Sequence, residues 1–136
     1  MKEYGGYLSL ELPKLRECFS DIPEQSKLRV NCGRTAFYCA IKASGIRKLY
    51  VPHLNCQNST DPVSDAGVDF EYYNVDENLF PKIDSVKDSE GILIVNYYGN
   101  ISEKNIHNLC KKFPTVILDL CTGFFQKPIL DRNLSV

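Results

Sequence analysis

Apolar residues fall into two kinds of run along this chain, short continuous stretches and stripes of helical period, and the two alternate. Lys27-Leu28-Arg29-Val30-Asn31-Cys32 reads as a strand broken by Gly33. From Arg34 onward Ala36, Phe37, Ala40 and Ile41 make one helical stripe that ends near Gly45. Lys48-Leu49-Tyr50-Val51 predicts the next strand, stopped by Pro52. A weaker helix is expected over about 57–66, with Pro62 tolerable near its first turn and Gly67 closing it. Val68 to Val75, rich in β-branched and aromatic residues, predicts another strand, and Gly91 to Tyr97 a continuously apolar one. Ser102 can cap a helix carrying Ile106, Leu109, Cys110 and Phe113 on one face. Pro114 ends that helix, and Thr115-Val116-Ile117-Leu118 runs straight into Asp119.

Strands with little polar alternation, separated by amphipathic helices, predict an α/β fold: a three-layer α/β/α sandwich around a mainly parallel sheet. In such sheets chemistry gathers outside the carboxyl ends of the strands. That rule selects Cys32-Gly33-Arg34-Thr35, Pro52-His53, Asn96-Tyr97-Tyr98-Gly99 and Asp119. The 136 residues predict one domain, 1–136, preceded within it by an N-terminal extension over 1–25 and ending in an irregular tail over 129–136.

Composition narrows the partners. A net charge of −1, with Lys and Arg scattered, gives no basic stripe to follow a phosphate backbone, so nucleic acid is not expected. The aliphatic run Ile92-Leu93-Ile94-Val95 is a strand length, too short to span a bilayer, and the first residues lack a signal core. A soluble, cytoplasmic protein is expected. Its six cysteines lie inside apolar patterns and are read as reduced, mostly buried thiols.

Asp119 is the leading candidate for chemistry. A carboxylate leaving an apolar strand is partly desolvated, which costs free energy unless donors or a cation meet it. It either caps the following turn or holds a cationic ligand. The Gly33-Arg34-Thr35-Ala36 turn leaves free N–H groups at a helix start, which suits a phosphate. The pairs His53/Cys56 and His107/Cys110 have some metal-ligand character, but Cys110 belongs to an apolar stripe and no metal site is expected.

Three stretches together resemble the DegT-type sugar-aminotransferase family, a branch of the fold type I pyridoxal-phosphate enzymes. Asn31-Cys32-Gly33-Arg34-Thr35-Ala36-Phe37 is similar to the family's S-G-T-x-A-L turn. Val95-Asn96-Tyr97-Tyr98-Gly99-Asn100 is similar to its V-H-L-Y-G-x stretch. Val116-Ile117-Leu118-Asp119-Leu120-Cys121-Thr122-Gly123 is similar to its V-I-E-D-A-A-Q-A segment, and Leu49-Tyr50-Val51-Pro52 to the strand that precedes its cofactor-stacking position. The resemblance covers about residues 28 to 126. It implies the front part of a large transferase domain and pyridoxal 5'-phosphate as cofactor. It also implies amino-acid and keto-sugar substrates, the sugar nucleotide-linked, and a homodimer.

By the same resemblance Gly33, Arg34 and Thr35 meet the cofactor phosphate, Asp119 the pyridine nitrogen, and His53, Cys56 and Thr122 the rest of the ring. The sequence departs from the family at three of these. Arg34 stands for a Thr, Cys56 occupies the stacking position with His53 the nearby planar side chain, and Thr122 stands for a Gln. The family's Schiff-base lysine lies further beyond Asp119 than the residues present, and Lys127 is too close to be it. The 136 residues by themselves are therefore expected to be inactive. Two other readings stand beside this one: a non-catalytic binding or interaction module derived from the same fold, and a flavodoxin-like domain holding a nucleotide or flavin phosphate on the Gly33 turn.

Overall fold

The computed structural model describes residues 19–20, 22–56, 59–123, 129 and 134–135. Helix α1, Gly33–Ser44, starts where Cys32 is still extended and stops at Gly45, whose φ of 67° is left-handed. Glycine enters that conformation without a Cβ clash, which is why the stripe ends there. Strand β1, Lys48–Pro52, follows; then α2, Asp61–Asp65, with proline in its first turn, and β2, Asp69–Tyr73. Strand β3, Glu90–Val95, leads through a 3-10 turn at Tyr97–Gly99 into α3, Glu103–Lys112. Strand β4, Val116–Asp119, ends in a second 3-10 turn at Cys121–Gly123, and the two-residue β5 is Leu134–Ser135.

All strand pairs are parallel, in the order β2-β1-β3-β4-β5. Of the stretch 129–136 only residues 129 and 134–135 are described, and Leu134–Ser135 pairs beside β4. Every residue of β3 is buried, because β1 and β4 flank it and both faces are covered. Its side chains alternate between two cores. Ile92 and Ile94 join Val116, Leu118, Ile106, Leu109, Cys110 and Phe113 under α3. Leu93 and Val95 join Leu49, Val51, Ile117, Ile41 and Val63 under α1 and α2. The three-layer α/β/α arrangement is the one the patterns predict.

The connection from β2 to β3 carries no helix. It folds on Asp76, whose Oδ1 accepts from the N–H groups of Asn78 at 2.8 Å and Phe80 at 2.9 Å. Phe80, Ile83 and Val86 from this loop pack against the α3 core, covering sheet that a crossover helix would otherwise cover. Edge strand β2 leaves Phe70 and Tyr72 exposed and buries Tyr73, whose hydroxyl donates to the Leu93 carbonyl at 2.6 Å. Burial pushes that phenol well above its ordinary range.

Two expectations are corrected. Residues 27–32 form no strand: Leu28 is 69% exposed and no strand pairs with them. Alternation of Leu28 and Val30 is necessary for a strand but does not supply a partner, and Glu24 instead ties the segment locally to Lys27 and Arg29. The described cysteines are free thiols, but only Cys110 is buried; Cys32, Cys56 and Cys121 are exposed because they sit in turns, not in the stripes around them. No helix among the described residues is long and apolar enough to cross a membrane.

Phe113 caps α3 and is 1% exposed in the centre of its core. Phe113→Ala should lower the unfolding free energy by about 3–5 kcal/mol, through lost burial and the cavity left behind. Phe70→Ala on the exposed edge should change it far less, and urea denaturation of both variants checks the contrast.

Candidate functional site

Because the strands are parallel, their carboxyl ends share one edge, and the turns leaving β3 and β4 meet there. Their meeting is fixed by Asn96, the residue after β3, whose side chain is fully buried. Its Oδ1 accepts from the Ile101 N–H at 2.8 Å and its Nδ2 donates to the Ile101 carbonyl at 3.1 Å. These bonds close the loop 96–101 on itself, with Tyr97, Tyr98 and Gly99 held outside. The Asn96 N–H also donates to the Asp119 carbonyl at 3.0 Å, tying the end of β3 to the end of β4.

Thr122 makes the second tie. Its hydroxyl donates to the Asn96 carbonyl at 3.2 Å and accepts from the Tyr98 N–H at 3.1 Å. Gly123 makes the third by close approach: a Cβ there would lie 3.3 Å from the Gly99 nitrogen and 3.5 Å from the Asn96 carbonyl oxygen. A side chain there would be tight, asking the backbone at Gly99 to give by a few tenths of an ångström.

Asp119 is half-buried at the end of β4. Its Oδ1 accepts from the Cys121 N–H at 2.8 Å, so the turn-capping role is realised. The carboxylate also hydrogen-bonds the Cys121 thiol, and with partial burial pushes that thiol up to about 11. A carboxylate has about four lone-pair directions, so capping leaves acceptor capacity for a ligand. Burial first, and the Asp119 charge second, also raise the Tyr97 phenol. The Tyr97 hydroxyl donates to the Leu54 carbonyl, bridging the loops after β3 and β1.

The start of α1 joins this group through the same cysteine: a Cβ at Gly33 would lie 3.9 Å from Cys121 Sγ. Gly33 and Asp119 thus both approach Cys121. Thr35 lies one turn in, its hydroxyl donating to Asn31 Oδ1 at 3.2 Å. Cys32 holds the N-cap position without a side-chain cap bond; its thiol lies 3.3 Å from Thr35 Oγ1, and hydrogen bonding with Thr35 lowers its pKa. Arg34 and Thr35 also line a shallow cleft of 310 Å³ between α1 and α2, with Tyr38, Asp61 and Asp65.

Among the residues the sequence singles out, Gly33, Asp119 and Thr122 are brought together, and Arg34 and Thr35 lie at the adjoining helix start. His53 and Cys56 lie on the loop after β1, which Tyr97 ties to this edge through the Leu54 carbonyl. The His53 ring stacks on Tyr72 with centroids 4.6 Å apart and planes 14° from parallel, so one face is already covered. Cys56 is exposed in a turn where its carbonyl accepts from Ser59. Of the two H-x-x-C pairs, Cys110 is buried in the α3 core, while His107 lies 3.8 Å from Glu103 on the same helix. Sequence reasoning picked out the 96–99 segment but missed the Asn96 clamp and the Cys121 bridge. A polar residue ending an all-apolar strand was the available signal for the first.

No protein-family model matches the chain, and no curated protein matches it. Solved structures do. An aminotransferase from Anaerococcus prevotii DSM 20548 aligns with a TM-score of 0.51 and 20% identity, over 75% of this chain and 35% of its own length. A histidinol-phosphate aminotransferase from Clostridium acetobutylicum aligns with a TM-score of 0.46 and 19% identity, over 61% of this chain and 28% of its own. The fold is aminotransferase-like. The chain spans about a third of the length of these structures. The order β2-β1-β3-β4-β5 is also that of flavodoxin-like sheets, but a doubly wound domain of that kind carries a helix between each pair of strands. The helix-free link from β2 to β3 departs from it.

Since the Asp119 carboxylate holds up the Cys121 thiol, Asp119→Asn should bring Cys121 down toward the ordinary thiol range. Alkylation of Cys121 by iodoacetamide at pH 8, followed peptide by peptide, should then be several-fold faster than in the parent chain. An unchanged rate would show that the carboxylate does not govern the thiol.

Proposed function

We propose that this chain is the cofactor-binding front part of a pyridoxal-phosphate-dependent aminotransferase-like protein. Its family reaction would be amino transfer from an amino acid to a keto sugar, the sugar nucleotide-linked. The observation that carries the reading is Asp119: half-buried at the end of β4 and one residue, Cys121, away from the start of α1.

The donor set fits such a ligand at both ends. Asp119 supplies an anion for a protonated ring nitrogen, at a strand end that cannot retreat. Gly33, Arg34 and Thr35 begin a helix of 12 residues, whose first N–H groups and positive dipole end attract a phosphate. Arg34 adds a guanidinium that can reach phosphate oxygens in pairs. When bound, the cofactor acts as an electron sink for the carbanion formed at the amino-acid carbon. This chain's residues would hold it, orient it and keep its ring nitrogen charged.

The rest of the reading follows from the resemblance. No lysine of the 136 residues falls at the position that bonds covalently to the cofactor, so these residues by themselves would bind without turning over. A cytoplasmic homodimer is the expected setting, with no nucleic-acid or membrane partner. A second reading, a binding or interaction module without catalysis, is favoured by one observation. The Thr122 hydroxyl, at a cofactor position, is spent inside the protein on Tyr98 and Asn96.

Thermal-shift titration distinguishes these readings, since a ligand of the folded form raises its melting temperature. Pyridoxal phosphate should stabilise the chain, and Asp119→Ala should weaken binding at least about tenfold, from loss of one charge-assisted contact. Borohydride should trap no adduct at any single lysine. A stoichiometric adduct would show that the chain forms the covalent link unaided, and no shift with the cofactor would leave the non-catalytic module.

A further inference from the structure

We propose that Tyr98 supplies the flat aromatic contact for the ligand ring at the Asp119 site, a role that rests on the cofactor reading of that site. A heteroaromatic ring binds best with a planar side chain against its face. The position expected to provide one holds Cys56, which has no ring, and the nearby imidazole of His53 is stacked on Tyr72. Tyr97 is half-buried with its hydroxyl fixed on Leu54, so its ring is committed to holding two loops together.

Tyr98 is different in every respect. Its ring is 81% exposed, the most open of the large apolar side chains described. Its backbone stands at φ 54° and ψ 19°, left-handed, in a non-glycine residue that strongly prefers otherwise. Nothing in the core needs the ring, so burial does not offset that strain. What holds the conformation is the ring of bonds around it: Thr122 Oγ1 accepts the Tyr98 N–H at 3.1 Å, and the next N–H, of Gly99, donates to the Asn96 carbonyl at 3.2 Å. The same Thr122 follows Asp119 by three residues, and the same Asn96 pairs with the Asp119 carbonyl. The framework that holds the end of β4 therefore also fixes the backbone from which the exposed Tyr98 ring projects at this edge. Strain maintained by the surrounding structure at an exposed side chain is a mark of a ligand-contacting position.

The test uses the full chain, pyridoxal phosphate and three variants, Tyr98→Phe, Tyr98→Ala and Tyr98→Gly, with affinity from calorimetric titration and melting temperature without ligand. Tyr98→Phe should bind within about twofold of the parent, since the ring face remains. Tyr98→Ala and Tyr98→Gly should bind about tenfold more weakly. Tyr98→Gly should at the same time melt about 3 °C higher, because glycine accepts the left-handed backbone. Opposite movement of affinity and stability in one variant is not what a merely structural residue gives. If the parent binds and the alanine and glycine variants bind equally well, the Tyr98 role is overturned while the cofactor reading stands. If all three variants lose affinity and melting temperature together, the ring is structural and the proposal is likewise overturned. If the parent does not bind, the cofactor reading falls and takes this role with it.

Discussion

The two hydrogen bonds between the Asn96 side chain and the Ile101 backbone hold together everything of chemical interest in this molecule. Asn96 ends a strand in which every residue is buried, so its amide has no water to turn to. In that setting an unmade bond costs far more than a made one contributes, and the loop is locked into the one closure that satisfies it. Locking 96–101 sets where Tyr97 and Tyr98 project, and gives Thr122 and Gly123 a fixed surface to meet. The turn after β4 is thereby positioned against the turn after β3, and Asp119 with it. The parallel sheet brings these turns to one edge, but this buried amide decides how they face each other.

Much of the fold was legible in the sequence, for a physical reason. Ile92 to Val95 and Val116 to Leu118 have no polar alternation, and only burial on both faces permits that. Gly45 and Ser102 marked helix ends through backbone requirements that hold wherever they occur. What was not legible depended on partners. Residues 27–32 alternate like a strand and stay unpaired, because pairing is a property of two segments. The cysteines around the site looked buried from their neighbours, yet turns carry them out to solvent. Asp119 was legible as a carboxylate ending an apolar strand; its capping of Cys121 and the approach of Cys121 to Gly33 came from the fold.

On the proposed reading, the site would set an anion-accepting helix start against a cation-accepting carboxylate, with Cys121 in contact with both. That combination is what a ligand with a phosphate at one end and a protonated ring at the other would require. The Anaerococcus prevotii aminotransferase shares the fold of this chain at about one residue in five, too little for side-chain chemistry to be carried across from it. The functional reading therefore stands on the arrangement of this chain's own residues and on the resemblance of its turns.

The near touch of Gly123 and Gly99 has a consequence for how this edge of the molecule can diversify. A methyl group at 123 would press on main chain, which cannot swing aside as a flexible side chain can. A side chain at 123 would ask the backbone at Gly99 to give by a few tenths of an ångström. Variation in what this surface recognises would come with least strain from paired changes in both loops, or from the outward-facing positions that the contact leaves untouched.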